Sequence, residues 1–378
     1  MIKNKTVFVL GAGASCHYGY PTGEGLIDAV IKKADAFEAY CRYRSARYGN
    51  SYHWIPDYVD EKMDKSKGAS AAVDAWAAVA GEAKLLSQRL SMVRPILIDH
   101  FLAWNESLRE IGKLMIAMVI LECEAQRRIS KGWYRFLIHK LVYNCQESGD
   151  IFLNNVKFIT FNYDVSLERT LYRAIGDMDL FEQSDVLKFL TEGRIIHVYG
   201  SIDTEITSEA PGINATIAAT LGNTTELDLQ GLTRFQQLKD LMDVVRRSAK
   251  LIRTVDPHDK EEDAAALQTA KKWIAEAGVV YILGYDFDDN NSRRIGLNAL
   301  HYTVHKAAVM FTNFGDLNVI NKKASRLFYG MRTAFLDGAI QGNPLDGFYA
   351  EKSIRNVYDA LNMDFDALEN ELTASTRI

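Results

Sequence analysis

Thr6-Val7-Phe8-Val9-Leu10-Gly11-Ala12-Gly13-Ala14-Ser15 is the stretch that decides the fold. An unbroken run of β-branched, aromatic and apolar residues stopping at a glycine reads as a strand buried on both faces of a parallel sheet. Beyond the glycines, Gly25 to Lys33 (GLIDAVIKK) carries apolar residues at helical spacing. Strand, glycine turn and helix in that order predict the opening unit of a doubly wound α/β sheet.

The strand signal returns at 156–160 (VKFIT), 194–199 (RIIHVY), 278–283 (GVVYIL) and 307–312 (AAVMFT), with helical patterns over 232–252 and 263–277. Strands alternating with helices predict a Rossmann-like parallel sheet. Residues 36–150 have another texture. Ala-rich (69–83) and amphipathic (108–123, 133–143) stretches follow one another without a strand, and Asn105 is placed to cap the helix after it. A helical insertion of three to five helices is expected there. Its first part is aromatic and polar (Tyr40, Tyr43, Tyr48, Tyr52, His53, Trp54), suited to core packing or to a site rim. Residues 201–231, rich in Thr, Gly and Asn, read as a long loop, and the tail from 319 reads as helical. The expected organisation is a Rossmann-like domain over 1–35 and 151–318, a helical insertion over 36–150, and a helical C-terminal segment over 319–378.

Composition narrows the function classes. The chain has 378 residues, 48% of them hydrophobic and 25% charged, with 25 Gly and 6 Pro, which excludes disordered and collagen-like chains. Its net charge of -5, from 44 Lys+Arg against 49 Asp+Glu, provides no overall positive field for direct nucleic-acid binding. The N-terminus lacks the pattern of a secretory signal. The longest apolar run, Leu114 to Leu121, falls short of the roughly 20 residues of a membrane span and reads as a buried helix segment. Cys16, Cys41, Cys123 and Cys145 form no CxxC pair, so neither a disulfide frame nor a metal site is expected. A cytoplasmic protein without membrane association fits these features.

Four polar motifs stand at predicted strand ends. Gly11-Ala12-Gly13-Ala14-Ser15 lets the backbone approach a pyrophosphate at a helix start, or is simply a tight strand–helix turn. It departs from the dinucleotide fingerprint of dehydrogenases: Cys16 stands where the third glycine belongs, and no strand precedes an acid about 20 residues on. Thr160-Phe161-Asn162-Tyr163-Asp164 offers an amide and a carboxylate to ribose hydroxyls, or serves as a turn and cap. His197-Val198-Tyr199-Gly200-Ser201 brings an imidazole able to take a proton, or one held as a structural hydrogen-bonding residue. Gly284-Tyr285-Asp286-Phe287-Asp288-Asp289-Asn290-Asn291 lacks the spacing of a calcium loop and suits ribose recognition or helix capping. The remaining histidines show no metal spacing. Ligands of open α/β sheets bind beyond the carboxyl ends of the strands, so these motifs share the edge where a dinucleotide would lie.

In this order GAGAS, TFNYD, HVYGS and ILGYDFDDNN resemble the sirtuin superfamily, in particular its bacterial sirtuin-like branch in anti-phage defence. The resemblance implies that Gly11, Ala12, Gly13 and Ser15 contact NAD. It implies further that Asn162 and Asp164 address the nicotinamide ribose and the attacking water, and that His197 is the general base. Phe161, Gly200, Ser201, Gly284, Tyr285 and Asp286 complete the expected binding set. Deacylating sirtuins carry a four-cysteine zinc module after the His-Gly motif. This chain has no cysteine after Cys145, which argues against deacylation. Tyr199 also stands where a deacylase has histidine. The two-residue period of a strand would point His197 the same way as Tyr199 and let it reach the site.

The activity this implies is NAD glycohydrolysis, giving nicotinamide and ADP-ribose, by an NAD-depleting effector of anti-phage defence. NAD is then substrate rather than resident cofactor. The alternatives are a module that senses NAD or ADP-ribose without turnover, a deacylase, and a structural subunit with an inherited fold. An NAD-consuming enzyme must be restrained, so control is expected from homo-oligomerisation or a partner. The resemblance implies a HerA-like hexameric ATPase or a short Argonaute in that role, with 36–150 and the tail as assembly surfaces.

Overall fold

The computed structural model describes residues 1–48, 56–126, 132–202, 232–254, 261–302, 307–314, 317–327, 334–336, 339–341, 349–353, 357 and 361. Its spine is β1 (Thr6–Leu10), buried along its whole length. β1 pairs in parallel with β2 (Val156–Thr160) on one side and β4 (Val279–Leu283) on the other. On one sheet face Phe8 stacks between its cross-strand partners, with ring centroids 5.3 Å from Phe158 and 4.9 Å from Tyr281. β3 (Ile195–His197) lies outside β2 and β5 (Ala308–Thr312) outside β4, both parallel. Next to β5 come β8 (Tyr349–Ser353), parallel, then β7 (Ala339–Gln341) and β6 (Ala334–Leu336), antiparallel. The order is β3-β2-β1-β4-β5-β8-β7-β6. The chain winds outward in both directions from the β1/β4 boundary. At such a switch point the loops leave toward opposite sides and a crevice opens between them.

Helices flank the sheet. After β1 come α1 (Ala12–Ser15) and α2 (Gly23–Tyr48). The insertion adds α3 (Asp57–Asp60), α4 (Ala71–Val93), α5 (Ile98–Trp104), α6 (Glu106–Gln126) and α7 (Tyr134–Val142). α8 (Ser166–Gly176) and α9 (Gln183–Thr191) lie between β2 and β3. α10 (Leu232–Leu251) and α11 (Glu261–Glu276) precede β4, α12 (Asp289–Arg294) precedes β5, and α13 (Asn318–Leu327) follows it. Leu114 to Leu121 is indeed a buried stretch of α6. Among the described residues no helix is long and apolar enough to cross a membrane.

The sheet and the helical insertion match the sequence reading, with four differences. α2 runs straight through residues 35 and 36, so the insertion has no boundary there. The first helix after the glycines is only α1, because the chain turns at Gly19, whose φ of 91° is left-handed, before α2 starts. Asn105 stands between α5 and α6, but its side chain accepts from Arg89 and donates to the Phe101 carbonyl. The tail is helical in α13 and then forms β6, β7 and β8 rather than staying helical. In sequence Asp337-Gly338, a pair suited to hairpin turns, separates β6 from β7. Of the expected loop, residues 203–231 lie outside the described residues, as do Tyr52, His53 and Trp54 of the aromatic stretch.

The insertion shares one core with the sheet. Trp133 Nε1 donates to the Ala14 carbonyl at 2.8 Å, and the Tyr134 backbone N–H donates to the Tyr18 hydroxyl at 2.8 Å. Residues at the start of α7 thus brace the glycine turn.

Candidate functional site

At the switch point two turns are pressed together by backbone contacts. Gly11 N–H donates to the Leu283 carbonyl at 3.0 Å and Gly13 N–H to the Gly284 carbonyl at 2.9 Å. A Cβ on Gly11 would lie 2.5 Å from the Gly284 oxygen, and one on Gly13 2.8 Å from Gly284 Cα. Gly284 itself has φ 59°, a left-handed conformation that favours glycine. The glycines of the first and fourth motifs are therefore required by each other, and the Gly13 N–H is already engaged.

Above this joint lies a cleft of about 870 Å³. Gly11, Ala12, Gly13, Ser15, Phe161, Asn162, Asp164, Gly284, Tyr285 and Asp286 all line it. Asn162 is fixed by two donated bonds, from Nδ2 to the Gly11 carbonyl (3.0 Å) and to Ser15 Oγ (2.9 Å). Both amide hydrogens are thereby used, which leaves Oδ1 as an acceptor for a ligand or water. Ser15 in turn bonds the Asp164 carboxylate, which also accepts from the Ser166 N–H at 3.1 Å and from the Ser166 hydroxyl. Burial pushes the Asp164 carboxyl above the usual carboxylate range, against the lowering effect of the Ser166 and Ser15 bonds. Phe161 stacks on Tyr285 at 5.0 Å, giving the cleft an aromatic floor.

The third motif is arranged differently. His197, Gly200 and Ser201 are not among the residues lining the cleft; Tyr199 is. β3 ends at His197 and the chain turns at once, with Gly200 N–H donating to the His197 carbonyl at 3.2 Å. The two-residue strand period therefore does not extend to Tyr199, and the register that would have aimed His197 at the site is broken. Its ring is held on both sides: Nδ1 bonds the Asn162 carbonyl at 2.9 Å and Nε2 bonds Glu168 Oε1 at 2.6 Å. Burial lowers its pKa, but Glu168 outweighs that and the net direction is upward. A carbonyl accepts only, so Nδ1 must donate, and the proton on the other side is shared with Glu168. The imidazole is thus tied between the Asn162 carbonyl and Glu168 rather than open to the cleft. Gly200 has φ 71°, and a Cβ there would fall on the Leu251 carbonyl oxygen at the end of α10.

The fourth motif caps a helix and also reaches the cleft. Asp286 lines the cleft with its carboxyl raised by burial, opposed by Lys323. Asp288 caps α12 by accepting the Asn291 N–H at 2.9 Å, and Asn291 accepts the Tyr199 hydroxyl. Cys16, at the fingerprint's third-glycine position, also lines the cleft, its thiol raised first by burial and then by Asp164.

Sequence reasoning missed the wall supplied by the insertion. Ile96, Leu97, Ile98 and Asp99 line the cleft, as do His17 and Tyr20 before α2, Glu24 in its first turn, and Thr312 and Asn313 at the end of β5. Asp99 is buried and accepts a bond from the Tyr163 hydroxyl. α6 secures the same loop from behind: Glu124 accepts the Val165 N–H at 3.2 Å and pairs with Arg169 at 2.5 Å, both side chains buried. Among the described residues no group of three or more His, Cys, Asp or Glu side chains is arranged to hold a metal ion. No family model, curated protein or solved structure matches the chain.

Proposed function

We propose that the chain is an NAD glycohydrolase of sirtuin-like type, cleaving the nicotinamide–ribose bond in anti-phage defence. The observation that carries the reading is the convergence of Asn162, Ser15 and Asp164 over the glycine joint in one cleft at the sheet's switch point. In this reading the dinucleotide lies along the joint with its ribose toward Asn162. Water donates one hydrogen to Asn162 Oδ1, which turns a lone pair toward C1′ as nicotinamide departs. Ser15 and Asp164 hold the amide so that the acceptor is not lost to rotation. Holding reactants in this way is a principal source of rate, and a misplacement of about 1 Å costs roughly 10²-fold.

Purified protein is incubated with NAD, alone and with a HerA-like ATPase or a short Argonaute, and nicotinamide is measured by chromatography. Asn162→Ala is expected to lower its release at least about 10²-fold. Release unchanged in that variant would refute the reading. One observation favours a second reading, an NAD- or ADP-ribose-sensing module: both nitrogens of His197 are occupied away from the cleft. Tight NAD binding in calorimetry, with the nucleotide recovered intact after hours in every mixture, would decide for it.

A further inference from the structure

With His197 engaged beneath Asn162, the proposed hydrolysis lacks an acceptor for the proton of water. We propose that Asp99, carried to the cleft by the helical insertion, takes that proton. The assignment rests on the glycohydrolase reading and extends it.

Three observations carry it. Asp99 lines the same cleft as Asn162 and is 9% exposed. It is tied to the catalytic loop itself, since its Oδ1 accepts the hydroxyl of Tyr163, the residue between Asn162 and Asp164. It is also less committed than the other cleft acids. Asp164 is held by Ser15 and by two groups of Ser166, and Asp286 by the Asp288 N–H and the nearby Lys323. Glu24 is exposed at the mouth. A carboxylate that accepts only from the Tyr163 hydroxyl and its own backbone N–H keeps lone pairs for water.

The groups facing Asp99 are Tyr163 from the loop after β2, His100 beside it on α5, and Tyr199 from the turn after β3. Burial pushes its carboxyl up to about 6, against the lowering effects of the Tyr163 bond and of His100. An acceptor with that value is ionised at neutral pH and strong enough as a base to act there. The step balances as follows. The bond between C1′ and the pyridine nitrogen breaks, and its electron pair leaves on nitrogen as neutral nicotinamide. The water oxygen bonds to C1′, and one water proton passes to the Asp99 carboxylate, then to solvent.

The test is kcat/KM for nicotinamide release from pH 5 to 9, using the full chain and the variants Asp99→Asn and Tyr163→Phe, each checked by thermal unfolding. The wild-type rate should fall on the acid side with a midpoint near 6. Asp99→Asn should lose about 10²–10⁴-fold and show no such limb. Tyr163→Phe, lacking the donor that favours the carboxylate, should move the limb to higher pH. A purely structural Asp99 would leave the limb in place. Asp99→Asn with wild-type activity, or with reduced activity and an intact limb, overturns the assignment while the glycohydrolase reading stands. Wild-type protein that releases no nicotinamide in any mixture overturns that reading and the assignment with it.

Discussion

Gly284→Ala is the sharpest test of the joint on which the site is built. With φ at 59°, an alanine there adopts the left-handed region at a cost of about 1–2 kcal/mol. Its Cβ would also fall on the Ala14 nitrogen and the Gly13 carbonyl carbon, atoms of the opposite turn's backbone that no side-chain rotation can clear. The turns must part, and the bonds from Gly11 N–H to Leu283 and from Gly13 N–H to Gly284 are lost. Each contributes about 1 kcal/mol net. A destabilisation of about 3–4 kcal/mol is expected, a large part of the ~5–15 kcal/mol that holds a native protein. Gly81→Ala is the matched control. It is exposed within α4, has nothing within 4 Å of its Cβ position, and should stabilise by about 0.5–1 kcal/mol. Urea unfolding followed by circular dichroism should move the two midpoints in opposite directions. If Gly284→Ala leaves the midpoint unchanged, the claim that these turns are locked by backbone contact is wrong.

His197→Gln should destabilise by about 3–5 kcal/mol through the loss of a buried partner for Glu168. Because the folded pKa of His197 is raised, the stability its protonation contributes is complete below the unfolded value of about 6.5 and lost as pH rises through the folded one. The gap between wild-type and variant urea midpoints should therefore narrow at alkaline pH, and a constant gap would refute a protonated clamp. Asp164→Asn removes an acid whose raised folded pKa makes its ionised form a cost to folding above the unfolded value of about 3.9. The unfolding midpoint at pH 8 should stay or rise while nicotinamide release falls, and a falling midpoint with unchanged release would contradict it. Calorimetry should find NAD affinity rising as pH falls from 8 through about 6 and Asp99 protonates, whereas turnover falls; parallel trends would refute the charge assignment of the cleft.

Much of the fold was legible because parallel strands covered on both faces read as unbroken apolar runs, as in Thr6–Leu10 and Val279–Leu283. The convergence of Asn162, Asp164 and the two glycine turns was legible for a related reason: parallel strands place their following loops at one edge. What failed was extrapolation past an element's end. His197 and Tyr199 share a face only while the strand continues, and it stops at His197. Gly200, with its left-handed φ, was the available warning of a turn. Asp337-Gly338 is an equally local sign of the β6–β7 hairpin, masked in sequence by the helical pattern that α13 sets just before it. Asp99 gave almost no sign. It lies in Ile98-Asp99-His100-Phe101-Leu102, an ordinary short helix, and gains its setting only when the insertion folds back over the loop after β2.

The charge of the cleft bears on how the proposed reaction would be accelerated. Its described lining contains Glu24, Asp99, Asp164 and Asp286 and no lysine or arginine. Such a wall does not favour the pyrophosphate, which must rely on backbone N–H groups, hydroxyls and packing. It does favour positive charge, and cleavage moves positive charge from the pyridinium ring onto the ribose as the bond to C1′ breaks. A carboxylate about 4 Å from that centre contributes about 4 kcal/mol at an effective dielectric constant of 20. Part of this acts already on the cationic ring of the bound substrate and adds nothing to the rate; only the increase as charge reaches C1′ does. Carboxylates near Asn162, on the ribose side, therefore speed the reaction more than carboxylates at the ring would. Asp164 and Asp99 are joined to the Asn162 loop through Ser15 and Tyr163, whereas Glu24 stands exposed at the mouth. In the proposed reaction, the arrangement that would hold water for attack is thus also the one that would place negative charge where the transition state needs it.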